Sequence, residues 1–256
     1  MQVQVLGAHN FESRSTRLVS LLIDGVLALD AGGLTSSLSL PEQENIKAIL
    51  LTHRHYDHIR DIPAIAINTA LANTIPVYAH ESVLKVLSDH LLNGVLYPRF
   101  YERLSEETPS LKFMPIEAGQ EFEVAGYRVL PVPVAHSAPT LGFQVTSSDG
   151  KRLFYTGDTG RGLAQCWERV APDLLIIEVT LPNRLQEEAI RYTHLTPGLL
   201  EEEMRQFQEV NGYLPQVLVV HMNPVHETEI LQEVRQVARR LKGDIKLTHE
   251  GMKVQL

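Results

Sequence analysis

The chain has 256 residues, of which 44% are hydrophobic and 21% are charged. These values are typical of a globular protein and exclude a disordered or fibrous one. Acidic residues outnumber basic residues by 31 to 23, and the net charge of −8 is unlike the broad basic surface of a general nucleic-acid binder. We therefore expect no long nucleic acid as a partner, although a small anion could bind at a local cationic site.

The cysteine content and the N-terminal residues bear on location. The single cysteine, Cys166, excludes an internal disulfide. The first residues show no basic-then-apolar signal segment, and no apolar run approaches the roughly 20 residues that span a bilayer. We expect a cytoplasmic protein that is not integral to a membrane. Because no repeat or flexible linker divides the sequence, a single domain over residues 1–256 is predicted.

Short apolar segments typical of strands alternate with segments typical of helices. Strands are predicted in the first half at 3–6, 18–23, 26–29, 46–51 and 77–79, and helices at 59–71 and 81–92. Strands are predicted in the second half at 111–116, 121–124, 127–134, 141–146, 153–156, 174–178, 217–220 and 245–247, and helices at 163–170, 197–210 and 228–241. Each half runs from strands into mixed strand and helix. Two sheets packed face to face, with helices outside, would bury both sets of strands.

One segment, at about 90–110, does not fit this alternation. It contains the aromatic residues Tyr97, Phe100 and Tyr101, followed by a polar run at 105–108. We interpret it as a helical and aromatic insertion that lies over a surface, either at the mouth of a site or at a subunit contact.

The strand at 46–51 leads directly into a segment rich in histidine. This segment, residues 52–58, reads Thr-His-Arg-His-Tyr-Asp-His. In extended backbone His53, His55 and Asp57 point the same way, and a turn would bring His58 alongside. Neutral imidazole and carboxylate are ligands that zinc and similar cations favour. A chance polar loop is the alternative, but three histidines and one aspartate so close together favour a metal site.

Three further residues stand just after predicted strands, as His53 does. These are His136, Asp158 and His221. Strand ends and the loops that follow them are where sites are commonly assembled. Each residue alone could be a surface histidine or a turn aspartate, but together with segment 52–58 they indicate one metal centre.

These residues, in this order, resemble the motifs of the metallo-β-lactamase superfamily. Asp30, at the end of an earlier strand, belongs to the same pattern, and the resemblance extends over nearly the whole chain. It implies an α/β fold of four layers, an αββα sandwich. Asp30 would hold the histidine loop rather than bind metal.

The resemblance also implies two divalent cations, with zinc as the first choice and manganese or iron as alternatives. The ligands would be His53, His55 and His136 for one cation, Asp57, His58 and His221 for the other, and Asp158 shared between them. A hydroxide bridging the two cations would attack the substrate, and Asp57 would also act as a catalytic base. A metal-bound scaffold without catalysis is disfavoured because no ligand position is missing.

The reaction class depends on His194. Flavodiiron-type sites usually have glutamate where this chain has His55, and Cys166 lies in a predicted helix, unlike the cysteine ligand of some zinc β-lactamases. The segment 192–197, Tyr-Thr-His-Leu-Thr-Pro, resembles the motif with which phosphodiesterases of the superfamily, including tRNase Z, protonate the leaving oxygen. The alternative is an ordinary histidine at a helix start, where Thr196 would cap the helix.

Two subgroups of phosphodiesterases remain. Segments 92–100 and 192–200 resemble class II cyclic-nucleotide phosphodiesterases, and the long basic arm of tRNase Z is not seen. We therefore predict hydrolysis of a 3′,5′-cyclic nucleotide or a similar small phosphodiester. The alternatives are a tRNase Z-like RNA phosphodiesterase and a lactonase or thioesterase of the same fold. A homodimer is expected, because the aromatic residues of the insertion would otherwise form an exposed apolar patch.

Overall fold

The computed structural model describes residues 1–70, 73–102 and 109–256. Its first sheet has seven strands, namely β1 (Gln2–Gly7), β2 (Ser20–Ile23), β3 (Leu27–Leu29), β4 (Ala48–Leu50), β5 (Ile75–Ala79), β6 (Leu111–Pro115) and β14 (Lys253–Gln255). Its second sheet also has seven, namely β7 (Phe122–Val124), β8 (Tyr127–Val134), β9 (Thr140–Thr146), β10 (Arg152–Tyr155), β11 (Leu174–Glu178), β12 (Gln216–Val220) and β13 (Ile245–Leu247). The described residues thus form two sheets of equal size.

The helices of the first half are α1 (Leu34–Ser37), α2 (Leu40–Glu44), α3 (Tyr56–Ile59), α4 (Ile62–Asn68) and α5 (Glu81–Val86), which continues as a π-helix at Leu87–Leu91. Those of the second half are α6 (Ala164–Trp167), α7 (Gln186–Tyr192), α8 (Pro197–Asn211) and α9 (Glu227–Leu241), with a 3₁₀ turn at Asn183–Leu185 before α7.

The order and direction of the strands determine which loops lie next to one another. The first sheet runs β14-β1-β2-β3-β4-β5-β6, and the second runs β13-β12-β11-β10-β9-β8-β7. Strands β3 to β6 are parallel, and so are β10 to β13. The carboxyl ends of neighbouring parallel strands lie at one edge of a sheet, so residues that follow them are brought together there.

Alternation along the strands divides the apolar side chains between two cores. In β2, Leu21 and Ile23 join the core between the sheets, whereas Leu22 joins the core under the first-half helices. The core between the sheets also contains Phe143 and Phe154 of the second sheet, and it continues into residues of α8 and α9. Helices therefore cover the outer face of each sheet, and the predicted αββα sandwich is confirmed.

Most predicted strands are confirmed within one or two residues, and the hairpin at Asp24-Gly25 is formed. Both turn residues have positive φ, 47° and 73°, which matches the right-handed twist of the strands that they join. The predicted helix at 59–71 is wrong in its bounds. It is divided into α3 and α4 because Pro63 fits only the first turn of a new helix, and Leu71 lies outside the described residues.

The aromatic residues of the insertion do not form the exposed patch that we expected. Tyr97, Phe100 and Tyr101 are partly buried and pack against the first-half core, and Tyr101 stacks on Phe113 with ring centroids 4.5 Å apart. Among the described residues of the insertion, the large apolar side chains that are exposed are Val95 (90%) and Leu96 (62%). The polar run at 105–108 lies outside the described residues.

The described residues contain no helix that is both long enough and apolar enough to cross a membrane. The cellular location of the protein stays a prediction.

Candidate metal centre

The histidine loop begins where β4 ends, and it is held tightly against the loop that follows β3. Backbone bonds join Ala31 N to the carbonyl oxygen of His58 at 2.8 Å and Asp61 N to the carbonyl oxygen of Ala31 at 2.8 Å. Gly32 permits this approach, because a Cβ there would lie 2.0 Å from the carbonyl oxygen of Asp57. His53 and His58 are fully buried as a result.

The other three predicted ligand residues arrive from the second sheet. His136 follows β8, Asp158 follows β10 and His221 follows β12, and all three point into the same region as the histidine loop. His221 has a φ of 60°, an unusual conformation for a residue other than glycine. Such backbone strain persists only where the surroundings enforce it, and it is frequent at functional sites.

The structure places the predicted residues in two groups. Ligand atoms of the first group all lie within 4.8 Å of one another, and its members are His53, His55, His136 and Asp158. The Nε2 atom of His136 lies 3.2 Å from Nδ1 of His55, and Nε2 of His53 lies 3.6 Å from Oδ2 of Asp158. Three imidazole nitrogens and a carboxylate oxygen at this spacing suit a tetrahedral cation.

The second group shares Asp158 with the first, and its members are Asp57, His58, Asp158 and His221. The Nε2 atom of His221 lies 3.1 Å from Oδ2 of Asp57 and 3.3 Å from Oδ2 of Asp158. His58 Nε2 lies 3.1 Å from Oδ1 of Asp158. Because Asp158 belongs to both groups, its carboxylate can be shared by two ions.

Unpaired buried atoms show that the cluster fits cations. Among the described residues, Nε2 of His53, Nε2 of His58 and Oδ1 of Asp158 are buried without a hydrogen-bond partner, since the close approach of His58 and Asp158 lacks hydrogen-bonding geometry. Leaving such atoms unpaired costs about 1–3 kcal/mol each. A cation between them would remove that cost. The His/Asp cluster is therefore a metal-binding site.

The charge states of the cluster also suit a cation. Burial lowers the pKa of His53, His55 and His136, and neighbouring histidines lower it further, so these rings stay neutral. Burial acts against ionisation of Asp158, but the charges of His221 and His58 outweigh it and hold the pKa of that carboxyl well below its ordinary value. Neutral imidazole and ionised carboxylate are the forms that bind metal.

His58 differs from the other histidines. Burial would lower its pKa, but Asp158, Asp57 and Asp30 outweigh burial and raise the pKa well above its ordinary value. A cation at Nε2 of His58 would thus take the place of a proton.

The outward nitrogen of most ligand histidines is held by a hydrogen bond, which aims the other nitrogen inward. The partners are Thr52 Oγ1 for His53 at 3.0 Å, Asp30 Oδ2 for His58 at 2.7 Å, the carbonyl oxygen of Thr193 for His136 at 3.0 Å, and Thr180 Oγ1 for His221 at 2.8 Å.

Asp30 lies behind the cluster and is fully buried. Its carboxylate accepts bonds from Nδ1 of His58 at 2.7 Å, the hydroxyl of Tyr155 at 2.7 Å, and both the backbone N–H (2.8 Å) and the hydroxyl (2.9 Å) of Thr52. This arrangement is the one expected of a residue that orients the histidine loop without binding metal itself.

Glu178 also lies beside the cluster, and it was not singled out from the sequence. It is fully buried at the end of β11, and its Oε1 accepts a bond from Nδ1 of His194 at 2.6 Å. Its Oε2 accepts a bond from Thr180 Oγ1 at 2.6 Å, and Thr180 in turn contacts Nδ1 of His221. Glu178 thus connects His194 to a residue of the metal cluster. The sequence does contain a signal for this residue, because a glutamate ends an otherwise apolar strand. Glutamates are rarely buried unless they are paired with another polar group.

His194 lies beside the cluster, before helix α8. Its ring centroid is 5.3 Å from those of His136 and His221. Thr196 caps the helix as predicted, since its side chain accepts a bond from Leu199 N at 3.3 Å. Burial would lower the pKa of His194, but the adjacent Glu178 carboxylate outweighs burial and raises it to about 9.

A cavity of about 630 Å³ opens onto the cluster. Its wall includes residues of the cluster, His194 and two exposed aromatic residues, Phe11 and Tyr56. The cavity gives a substrate access to both groups of possible ligands and to His194 at the same time.

The four-layer sandwich thus carries the His/Asp cluster at the ends of its strands. A family model described as "Beta-lactamase superfamily domain" matches residues 20–222. The chain belongs to the β-lactamase superfamily.

Curated relatives match parts of the chain. A protein named "UPF0173 metal-dependent hydrolase" from Methanobrevibacter smithii is 28% identical over 164 residues, which cover 62% of this chain and 61% of the relative. Ribonuclease Z of Metallosphaera sedula is 29% identical over 109 residues, which cover 43% of this chain and 34% of the relative. The chain thus spans less than two thirds of the length of these relatives.

Solved structures match over the whole chain. Unliganded yeast PDE1 superimposes with a TM-score of 0.83 at 17% identity, covering 100% of this chain and 99% of that one. YhfI of Bacillus subtilis gives 0.77 at 17% identity with 99% of both chains covered, and the short form of human tRNase Z gives 0.69 at 17% identity with 100% and 99% covered. At this identity the likeness shows a shared fold.

Proposed function

We propose that the protein is a phosphodiesterase that hydrolyses a 3′,5′-cyclic nucleotide or a similar small phosphodiester. The observation that carries this proposal is the pairing of His194 with Glu178 beside the metal cluster. Because Nδ1 of His194 donates to Glu178, its Nε2 is the nitrogen left for a substrate in the cavity. A phosphodiester needs an acid at such a position, since an alkoxide leaves poorly unless it is protonated.

We assign the two groups of ligands to two divalent cations, with zinc as the first choice and manganese or iron as alternatives. The assignment is His53, His55 and His136 for one cation, Asp57, His58 and His221 for the other, and Asp158 for both. Two bound cations would supply a nucleophile from water near neutral pH and would offset charge on the phosphate. The chain's own residues then have to orient the substrate and move protons.

Two residues are proposed for the proton transfers. The Glu178 carboxylate raises the pKa of His194 and so favours the protonated ring, which can donate a proton from Nε2 to the leaving oxygen. Asp57 lies on the cavity wall, and its pKa is lowered by the charge of His58 and by the hydrogen bond from His221, although burial acts in the opposite direction. As a carboxylate it can accept a proton from the attacking water.

The size of the substrate is proposed from charge. With a net charge of −8, the chain has no general attraction for a polyanion, which favours a small cyclic phosphate over a long RNA. The fold shared with yeast PDE1 and human tRNase Z agrees with phosphodiester chemistry, and Ribonuclease Z keeps RNA cleavage as the second candidate. A lactonase or thioesterase is the third, and neither reaction requires the His194–Glu178 pair.

The test compares two leaving groups in His194→Ala. Turnover of a 3′,5′-cyclic nucleotide should fall by about 10²–10⁴-fold, because the ribose alkoxide requires protonation. Turnover of bis(p-nitrophenyl) phosphate should fall far less, because nitrophenolate is a stable anion. The metal content should not change.

The control is His226→Ala, since His226 also stands at the start of a helix, α9, but not on the cavity wall. Its activity should match that of the wild type on both substrates. Equal losses on both substrates in His194→Ala, or a lost cation, would contradict the role proposed for His194. Full activity on both would make it an ordinary histidine at a helix start.

A further inference from the structure

Two large side chains on the wall of the metal cavity are exposed. Phe11 is 54% exposed and Tyr56 is 61% exposed, and both line the same cavity as Asp57, Asp158 and His194. Apolar aromatic rings gain nothing from contact with water, and exposed rings that share a cavity indicate a binding function. The catalytic roles proposed above use neither ring.

The backbone at each of the two aromatic residues is close in sequence, or hydrogen-bonded, to a segment of the metal cluster. Tyr56 stands between His55 and Asp57 at the start of α3. Phe11 follows Asn10, whose N–H donates to the carbonyl oxygen of Met222 at 3.2 Å, next to His221. The carbonyl oxygen of Phe11 accepts a bond from Thr16 Oγ1 at 2.9 Å. Tyr56 is therefore adjacent in sequence to two residues proposed as ligands. Phe11 is adjacent to Asn10, whose backbone is hydrogen-bonded to the residue after His221.

An ion-pair chain joins the two segments. The guanidinium of Arg60, which follows α3, contacts the carboxylate of Glu12, which follows Phe11. Arg60 Nε also donates to Asp61 Oδ1 at 2.9 Å, and Asp61 Oδ2 accepts bonds from the N–H (2.8 Å) and the hydroxyl (2.9 Å) of Thr35. The two aromatic residues thus stand on one connected wall, where the charge of Arg60 is already balanced.

We propose that Phe11 and Tyr56 form a stacking site for the planar base of the substrate. This inference rests on the proposed function and specifies its substrate class, a phosphodiester that carries a nucleobase. The phosphate would lie at the cations while the base packs on aromatic faces at the same cavity. Every nucleobase has such a face, so stacking selects for a base without selecting which one.

Stacking predicts a particular pattern of kinetic change. Phe11→Ala and Tyr56→Ala should each raise KM for 3′,5′-cyclic AMP by about five- to hundredfold, the contribution of one stacked base, with little change in kcat. Hydrolysis of the same cyclic ribose phosphate without a base should be unaffected. Ile67→Ala is the matched control, since Ile67 is 51% exposed on α4 and does not line the cavity.

Fluorescence gives a readout that is independent of turnover. The fluorescence of 2-aminopurine riboside 5′-monophosphate should be quenched on binding to the metal-loaded protein, because its base would stack on the rings. Quenching should be lost in the Phe11→Ala, Tyr56→Ala double variant and retained in Tyr56→Phe, which keeps the ring, and in Ile67→Ala.

The outcomes separate this inference from the proposed function. If the wild type hydrolyses cyclic AMP and the double variant has an unchanged KM and unchanged quenching, the stacking site is overturned and the function stands. If the wild type hydrolyses no cyclic nucleotide but its quenching depends on both rings, the stacking site stands and the function is overturned. Absence of both turnover and quenching would overturn both.

Discussion

Glu178 accepts four hydrogen bonds in the part of the proposed site that contains the general acid, His194. It accepts from His194 Nδ1 (2.6 Å), Thr180 Oγ1 (2.6 Å), Thr159 N (3.0 Å) and Leu195 N (3.3 Å). A buried carboxylate with this many donors fixes the orientation of each partner. We therefore regard Glu178 as a positioning residue for His194.

Glu178→Gln tests that role. The amide keeps the volume of the side chain but removes its charge, so His194 should hold its proton less firmly. Turnover of a cyclic nucleotide should fall by about 10–100-fold, and turnover of bis(p-nitrophenyl) phosphate should fall much less. A purely structural role would reduce both activities by the same factor.

Glu203→Gln is the matched control for this substitution. Glu203 is also buried, and its carboxylate accepts bonds from Gly162 N at 2.6 Å, Leu163 N at 3.2 Å and Trp167 Nε1 at 3.2 Å, away from the metal cluster. The variant should lose stability without changing the ratio of the two activities. A changed ratio would show that any buried glutamate produces the effect.

Substitutions of Asp158 and His136 test whether one carboxylate serves two cations. Asp158→Ala should lower the content of both cations, because Asp158 belongs to both groups. His136→Ala should weaken only the first. Elemental analysis after dialysis should give close to none and close to one cation per chain, respectively. Loss of a single cation from Asp158→Ala would contradict the shared role.

The sequence could predict the clustered residues but not what surrounds them. His53, His55, Asp57 and His58 lie within one segment, so their convergence follows from strand geometry alone. Glu178 and His194 are separated by 16 positions and meet only because β11 and the start of α8 are neighbours in the fold. No spacing rule connects such a pair.

At the scale of elements, strands were predicted better than short helices. Strands β8 and β11 have the predicted bounds because buried β-strands carry continuous or alternating apolar residues. Helices α1, α2 and α7 and strand β14 were not predicted. Helix α2 has only five residues, but Ser39 and Glu42 form a capping box that could have indicated it.

His9, in the loop between β1 and β2, is only 2% exposed and does not line the cavity. Its Nδ1 contacts Glu250 Oε1 at 2.7 Å, and its Nε2 lies 3.4 Å from Glu227 Oε2. Burial would lower the pKa of His9, but Glu250 and Glu227 outweigh burial and raise it. The ion pair therefore anchors the loop that carries Phe11.

A raised pKa makes the contribution of His9 to stability dependent on pH. The contribution is complete below the unfolded value of about 6.5 and is lost as pH rises through the higher folded value. The pKa of Glu250 is lowered, mainly by the hydrogen bonds from His9 and Arg17 against the effect of burial, so its contribution is lost only in acid.

His9→Gln should accordingly lower the free energy of unfolding by about 1–3 kcal/mol near pH 6, and by clearly less near pH 9. Denaturant unfolding of both proteins in the same metal-saturated buffer measures the difference at each pH. A difference that does not change with pH would show that folding leaves the pKa of His9 unchanged, which would contradict the ion pair.

At the scale of the whole molecule, the proposed homodimer needs a different explanation from the one the sequence suggested. The aromatic residues of the insertion pack on their own chain, and Val95 and Leu96 are the exposed apolar side chains there. We still expect a dimer, with these two residues in the interface.

Sedimentation should give twice the chain mass at micromolar concentration, and Val95→Glu should reduce it to the chain mass. A wild-type protein that is monomeric at this concentration would contradict the proposal.

The overall architecture was predictable because the family pattern extends along nearly the whole chain, from Asp30 to His221. The substrate could not be predicted in the same way. Proteins that share one fold differ in substrate because their cavity walls are built from segments distant in sequence, as Phe11 and Tyr56 illustrate.

Hydrolysis of phosphodiesters at this metal centre is tested by a comparison of three substrates. The purified protein, loaded with zinc, is assayed for kcat/KM on a 3′,5′-cyclic nucleotide, a lactone and a thioester under identical conditions. We predict that the cyclic nucleotide is hydrolysed to a nucleoside monophosphate with a kcat/KM at least about 100-fold above the other two, the scale of a positioned general acid. Preferred hydrolysis of the lactone or the thioester would contradict the account.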